Sequence, residues 1–148
     1  MRARASALVA ALLISLAEPL AAEELVVIVH PTRDVSLGID QLAQIYLKQR
    51  GRWPGGDPIV PVNRESTSVV RSQFANAVLA QTPQQLAVYW NRQYFHGVQP
   101  PATLASDEAV KRFVASEPRA IGYIRAQVLD ASVRIVLRLP EPSPPPRR

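Results

Sequence analysis

Apolar and polar positions alternate along this chain in a way that predicts a layered α/β domain. Leu25-Val26-Val27-Ile28-Val29 is an unbroken β-branched run, which predicts a strand over Glu24–His30 buried on both faces. Pro31 ends it. From Ile39, the apolar residues Leu42, Ala43, Ile45, Tyr46 and Leu47 recur at helical spacing, with Gly51 placed to close the helix. Trp53-Pro54-Gly55-Gly56-Asp57-Pro58 is turn chemistry, and Ile59–Val62 reads as a second strand. A second helix is expected from about Ser68 to Leu79. Thr82-Pro83 then supplies the cap and first residue of a third helix running to about Phe95.

Gln99-Pro100-Pro101 reads as a connector. Ser106 caps a fourth helix, with Asp107 and Glu108 in the first turn, where they favour the dipole. Ala120–Ile124 is a short strand, and Val133–Leu137 alternates like a half-exposed edge strand. The expected order is β-α-β-α-α-α-β-β, a small three-layer α/β sandwich.

The two ends stand outside that pattern. Arg2 and Arg4 precede an Ala/Leu-rich run, and Leu20-Ala21-Ala22 offers small residues for cleavage, so residues 1–22 read as a secretory signal peptide. Residues 23–139 form one expected domain. Residues 140–148 carry Pro140, Pro142, Pro144, Pro145 and Pro146, a tail whose fixed φ angles favour extended, hydrated backbone.

Composition narrows the chemistry. The chain has no cysteine and two histidines, which excludes disulfides, thiolate sites and cysteine nucleophiles. His30 and His96 lie far apart in sequence, so no metal-ligand spacing occurs and no cofactor is implied. The net charge is +5, and setting aside Arg2, Arg4 and Glu18 lowers it by one. The surplus is spread out, without the interleaved aromatics of a nucleic-acid-binding surface.

One stretch concentrates candidate chemistry. Strand Ile59–Val62 leads into Arg64-Glu65-Ser66-Thr67-Ser68, and the next helix begins there. First-turn amides have no intrahelical acceptor and carry the positive end of the dipole. Arg64 adds a permanent cation, and Ser66, Thr67 and Ser68 add hydroxyls, a combination suited to an oxyanion. The same residues also satisfy a plainer arrangement, a capped helix beside a solvated arginine. His30, at the end of the first strand, is a further cleft-lining candidate, because strand C-termini face the ligand in open α/β sheets.

Leu42-x-x-Ile45-Tyr46-Leu47, Trp53, Ile59-Val60-Pro61-Val62, the Arg64 turn, Phe74, Trp90 and Ala120-Ile121-Gly122-Tyr123 together resemble, in order and spacing, the second lobe of the phosphate-binding proteins of bacterial ABC transporters. The resemblance spans Leu25 to about Leu139. It implies a single lobe of a type II periplasmic-binding-protein-like fold and a periplasmic, exported protein. In the family's anion loop Arg64 matches the arginine and Ser68 the serine, while Val69 stands for the usual glycine and Val70 for the threonine. Arg119 replaces the glycine that usually precedes Ala-Ile-Gly-Tyr. The resemblance therefore implies a phosphate- or oxyanion-binding-like module, with Arg64, Ser66, Thr67 and Ser68 as ligand residues and weak binding in an open half-cleft. Its alternative is an accessory interaction domain that has lost ligand capture, pairing as a homodimer or docking on a membrane transport complex. No nucleophile elbow or paired-carboxylate motif points to an enzyme.

Overall fold

The computed structural model describes residues 23–142. The expected signal peptide, residues 1–22, and the end of the Pro-rich tail, residues 143–148, lie outside them. A five-stranded mixed sheet forms the middle layer, with strand order β3-β2-β4-β1-β5. Its strands are β1 (Leu25–Val29), β2 (Val60–Arg64), β3 (Ala102–Leu104), β4 (Ala120–Arg125) and β5 (Arg134–Arg138). The helices are α1 (Ile39–Tyr46), α2 (Val69–Phe74), α3 (Pro83–Tyr94) and α4 (Asp107–Ser116).

The unbroken apolar run of β1 is explained by the layers on either side of it. Leu25, Val27 and Val29 join a core with Leu42, Ile45, Tyr46 and Phe74 of α1 and α2. Val26 and Ile28 point the other way, into a second core with Val110 and Val114 of α4. β4 alternates in the same manner, with Ile121 and Tyr123 in the first core and Ala120 and Ile124 in the second. Helices on both faces of one sheet make the α/β sandwich that the pattern predicted.

Three local features differ from expectation. α1 stops at Tyr46, several residues before Gly51, because Lys48 itself takes the left-handed conformation (φ 60°). The amides of Lys48 and Gln49 then reach back to the carbonyls of Ile45 and Gln44 at 3.1 and 2.8 Å, which closes the helix in the Schellman manner without glycine. The second helix changes register after Phe74 and continues as a π-helical turn, Ala75–Leu79, ended by Ala80 at φ 50°. Within the expected connector, Ala102–Leu104 pairs in parallel with Val62–Arg64. Three residues after two prolines are too few for a strand period to register in sequence.

Strand direction fixes which residues share an edge. β2, β3 and β4 run parallel, and β1 runs against β4, with Val29 opposite Ile121 and Leu25 opposite Arg125. The C-terminus of β1 therefore lies at the edge where β2 and β4 begin, and Arg64 lies at the other edge.

Gly122 sits where β4 crosses α4. A Cβ there would come 2.5 Å from Val110 Cγ1 and 3.2 Å from Val62 Cγ2, whereas one on Gly51 meets nothing within 4 Å. Gly122→Ala should cost roughly 1–3 kcal/mol by overpacking. Gly51→Ala should stay within about 0.5 kcal/mol of the parent, and urea denaturation of both variants checks the contrast.

Candidate functional site

The β2–α2 turn is built by local hydrogen bonds. The Ser68 amide donates to Glu65 O at 3.0 Å, and Ser68 Oγ accepts from the Arg71 amide at 3.3 Å, so Ser68 is the N-cap of α2. Ser66 and Thr67 are exposed on the turn, while Ser68 is buried. Val69 and Val70, in the first turn of α2, have no intrahelical acceptor for their amides. Arg64, Ser66, Thr67 and Ser68 share this stretch of chain, but Ser68 is taken up as the helix cap and, of the four, only Ser66 lines the neighbouring groove. His30 is not among them. It lies at the opposite sheet edge, where Nδ1 is 2.7 Å from Thr32 Oγ1. Its expected place at the same cleft assumes that all strands run one way, and antiparallel β1 reverses it.

Arg64 is not a solvated cation. It is 7% exposed, and its Nη1 pairs closely with Asp107 at the start of α4. Its Nη2 donates to Glu65 Oε1 at 3.2 Å and to Ala105 O at 3.3 Å. Asp107, 3% exposed, also accepts from Arg125 Nε at 2.7 Å. Two nitrogens of Arg64 are therefore occupied by protein acceptors, while its Nε is buried with no acceptor among the described residues. Hydrogen bonds to its own backbone amide, and then to Arg64, hold the Glu65 carboxyl below the usual carboxylate range.

Behind the turn, the Arg64 amide donates to Asn63 Oδ1 at 3.1 Å and to Tyr123 Oη at 3.3 Å, and the Tyr123 hydroxyl donates to Asn63 Oδ1. Tyr123 stacks on Phe74 with centroids 3.8 Å apart, so the floor of the turn is tied to the core. Burial pushes the Tyr123 phenol up to about 12, and burial with the neighbouring Tyr123 holds that of Tyr46 well above its ordinary value.

Arg71 and Trp90 complete the surroundings. Arg71 Nη1 donates to Arg64 O at 2.9 Å, and among the described residues Arg71 takes part in no ion pair. Its side chain lines a groove of about 380 Å³ between α2 and α3, together with Ser66, Ser72, Asn76, Leu86 and Trp90. Arg71 carries no motif in the sequence, though its position three residues after the cap Ser68 puts it in the first turn of α2. Asp107 was read only as a dipole partner; its pairing with Arg64 spans 43 positions and leaves no local signal.

Comparison with known proteins bears on the fold. No protein-family model matches the chain, and no curated protein does. Among solved structures, an ABC-type phosphate transport receptor from Vibrio cholerae aligns with a TM-score of 0.63 and 22% identity, over 78% of this chain and 46% of that one. A putative phosphate ABC transporter substrate-binding protein with bound phosphate, from Clostridium perfringens, gives 0.60 and 28% over 78% and 45%. PstS from Borrelia burgdorferi gives 0.62 and 20% over 78% and 47%.

This is a phosphate-binding-protein-like fold. The chain spans less than half the length of each of these structures. They are described as transport receptors or binding proteins rather than enzymes. Among the described residues, no three or more His, Asp or Glu side chains are grouped to hold a metal ion.

Two outcomes follow from this geometry. Asp107→Ala leaves Arg64 buried without its main counter-charge and should cost about 3–5 kcal/mol in urea denaturation. Stability should also fall in alkali. The folded state keeps Tyr46 and Tyr123 neutral, whereas the unfolded chain ionises them near pH 10. Their contribution is whole below that pH and is lost as pH rises towards 12. Denaturation midpoints measured from pH 8 to 12 should show the decline, with a shallower one in Tyr123→Phe.

Proposed function

We propose that this chain is an exported, single-lobe oxyanion-binding module that holds phosphate or a similar anion weakly at the β2–α2 turn. The observation that carries the reading is the turn itself: Ser66 and Thr67 are exposed beside the Ser68 cap, next to the free first-turn amides of α2 and the Arg71 side chain. Arg64 Nε and Glu65 Oε2 are both buried without a partner among the described residues, so the anion's contacts in this reading are the exposed hydroxyls and first-turn amides. Export rests on the Arg2/Arg4 leader pattern and the cleavage-type residues before Glu23.

Weakness follows from two features. The Nη groups of Arg64 are already committed to Asp107, Glu65 and Ala105, so the anion gains only part of that arginine's charge. The turn also opens to solvent, where charge-assisted bonds are screened. An affinity on the order of millimolar, or about 4 kcal/mol, is the expected scale.

A second reading is favoured by α3, which buries none of its residues. Val69 is 80% exposed and Phe95 79%, with Val88 and Tyr94 also exposed, and apolar surface of this kind marks partner contacts. In this reading the lobe pairs with a second copy or docks on a transport complex. Sedimentation equilibrium at micromolar protein tests it. Reversible self-association supports the homodimer, and a strict monomer removes it.

For the anion reading, the expected result is a phosphate-dependent shift of the amide resonances of residues 66–70, saturating in the millimolar range. The Ser66→Ala/Thr67→Ala double variant should bind about three- to tenfold more weakly. A spectrum unchanged at tens of millimolar phosphate would end the proposal.

A further inference from the structure

We propose that the groove between α2 and α3 selects an organic phosphate or phosphonate, with the anionic head at the β2–α2 turn and an apolar arm lying between Arg71 and Trp90. This rests on the reading that an oxyanion docks at that turn, and it names the class of anion.

The groove adjoins the turn through Ser66, which belongs to both. Its volume, about 380 Å³, lies within the range of small-molecule sites and far exceeds the need of a bare tetrahedral anion. The two ends of the wall differ in chemistry. Near the turn stand Arg71 and the hydroxyls of Ser66 and Ser72, and further along α3 come Leu86, Ala87 and Trp90. No carboxylate lines it, so the charge of Arg71 is not cancelled locally and a cationic ligand is disfavoured.

The backbone contributes as well. Ala75 and Asn76 enter the groove from the π-helical turn that follows α2, and such turns are frequent at functional sites. The opposite wall is α3, anchored by its Thr82 capping box and by the Tyr89 hydroxyl, which donates to Leu47 O at 2.6 Å. Leu86 and Trp90 are only half-buried, which leaves apolar surface for a ligand to cover. Inorganic phosphate covers none of it. A phenyl ring that buries on the order of 60 Å² there gains about tenfold in affinity.

The test compares phenylphosphonate with inorganic phosphate on the purified protein, by amide shifts and by tryptophan fluorescence. The chain has two tryptophans. Trp53 is buried, with its indole donating to Arg119 O, so a ligand-linked change reports on Trp90. Phenylphosphonate is expected to bind about tenfold more tightly than phosphate and to change Trp90 emission. Trp90→Ala should remove that preference. Because Trp90→Ala could loosen α3, Ala87→Trp, which fills the groove from an exposed position, serves as the second variant and should also abolish the preference.

Equal affinity for the two anions, or a preference that survives Ala87→Trp, overturns the groove proposal while phosphate shifts at residues 66–70 keep the turn. Binding of neither anion overturns both. Phenylphosphonate binding that alters Trp90 emission without shifts at residues 66–70 overturns the proposed pose, since the head group is then not at the turn.

Discussion

The carboxylate of Asp107 holds one end of the sheet together. It is buried between the guanidinium groups of Arg64 and Arg125, and in doing so joins the end of β2, the start of α4 and the end of β4. Burying Asp107 and Arg64 costs desolvation that offsets much of their attraction, while Arg125 stays partly exposed. What the arrangement provides is position: Arg64 has one well-defined place because its partners are fixed by parallel β2 and β4 and by the Ser106 cap of α4. The turn that follows Arg64 inherits that order, reinforced by the Arg71 bond to the Arg64 carbonyl.

That same ion cluster sets what the edge is able to bind. An arginine whose Nη groups already serve two carboxylates and a carbonyl contributes less field to a ligand than a free one does. Arg71 forms no ion pair among the described residues and keeps donors beyond its bond to the Arg64 carbonyl, and among the described residues the side chains of Ser66 and Thr67 are exposed. The solved structures of like fold are more than twice as long as their overlap with this chain, and the open groove beside Arg71 lies next to the turn.

Much of the scaffold was legible in the sequence because each signal was local. The double-sided burial of β1, the Thr82-Pro83 start of α3 and the Ser106-Asp107-Glu108 start of α4 depend on neighbours in the chain, and they appear where expected. β3 was hidden because three residues give no period. The early stop of α1 was hidden because Lys48 adopts a conformation usually left to glycine. At the site, the proximity of Arg64, Ser66, Thr67 and Ser68 was readable from spacing, whereas the neutralisation of Arg64 depends on a pairing across the sheet. His30 was misplaced for the same reason: strand direction is a tertiary property, and residue composition carries no trace of it.

The most direct test of the central claim is a crystal structure grown with an anomalously scattering oxyanion such as molybdate, with data collected at its absorption edge. The account predicts an anomalous peak at the β2–α2 turn, within hydrogen-bond distance of the Ser66 or Thr67 hydroxyl and on the Arg71 side of Ser68. Peaks confined to scattered surface lysines and arginines, with the turn empty at high anion concentration, would contradict it.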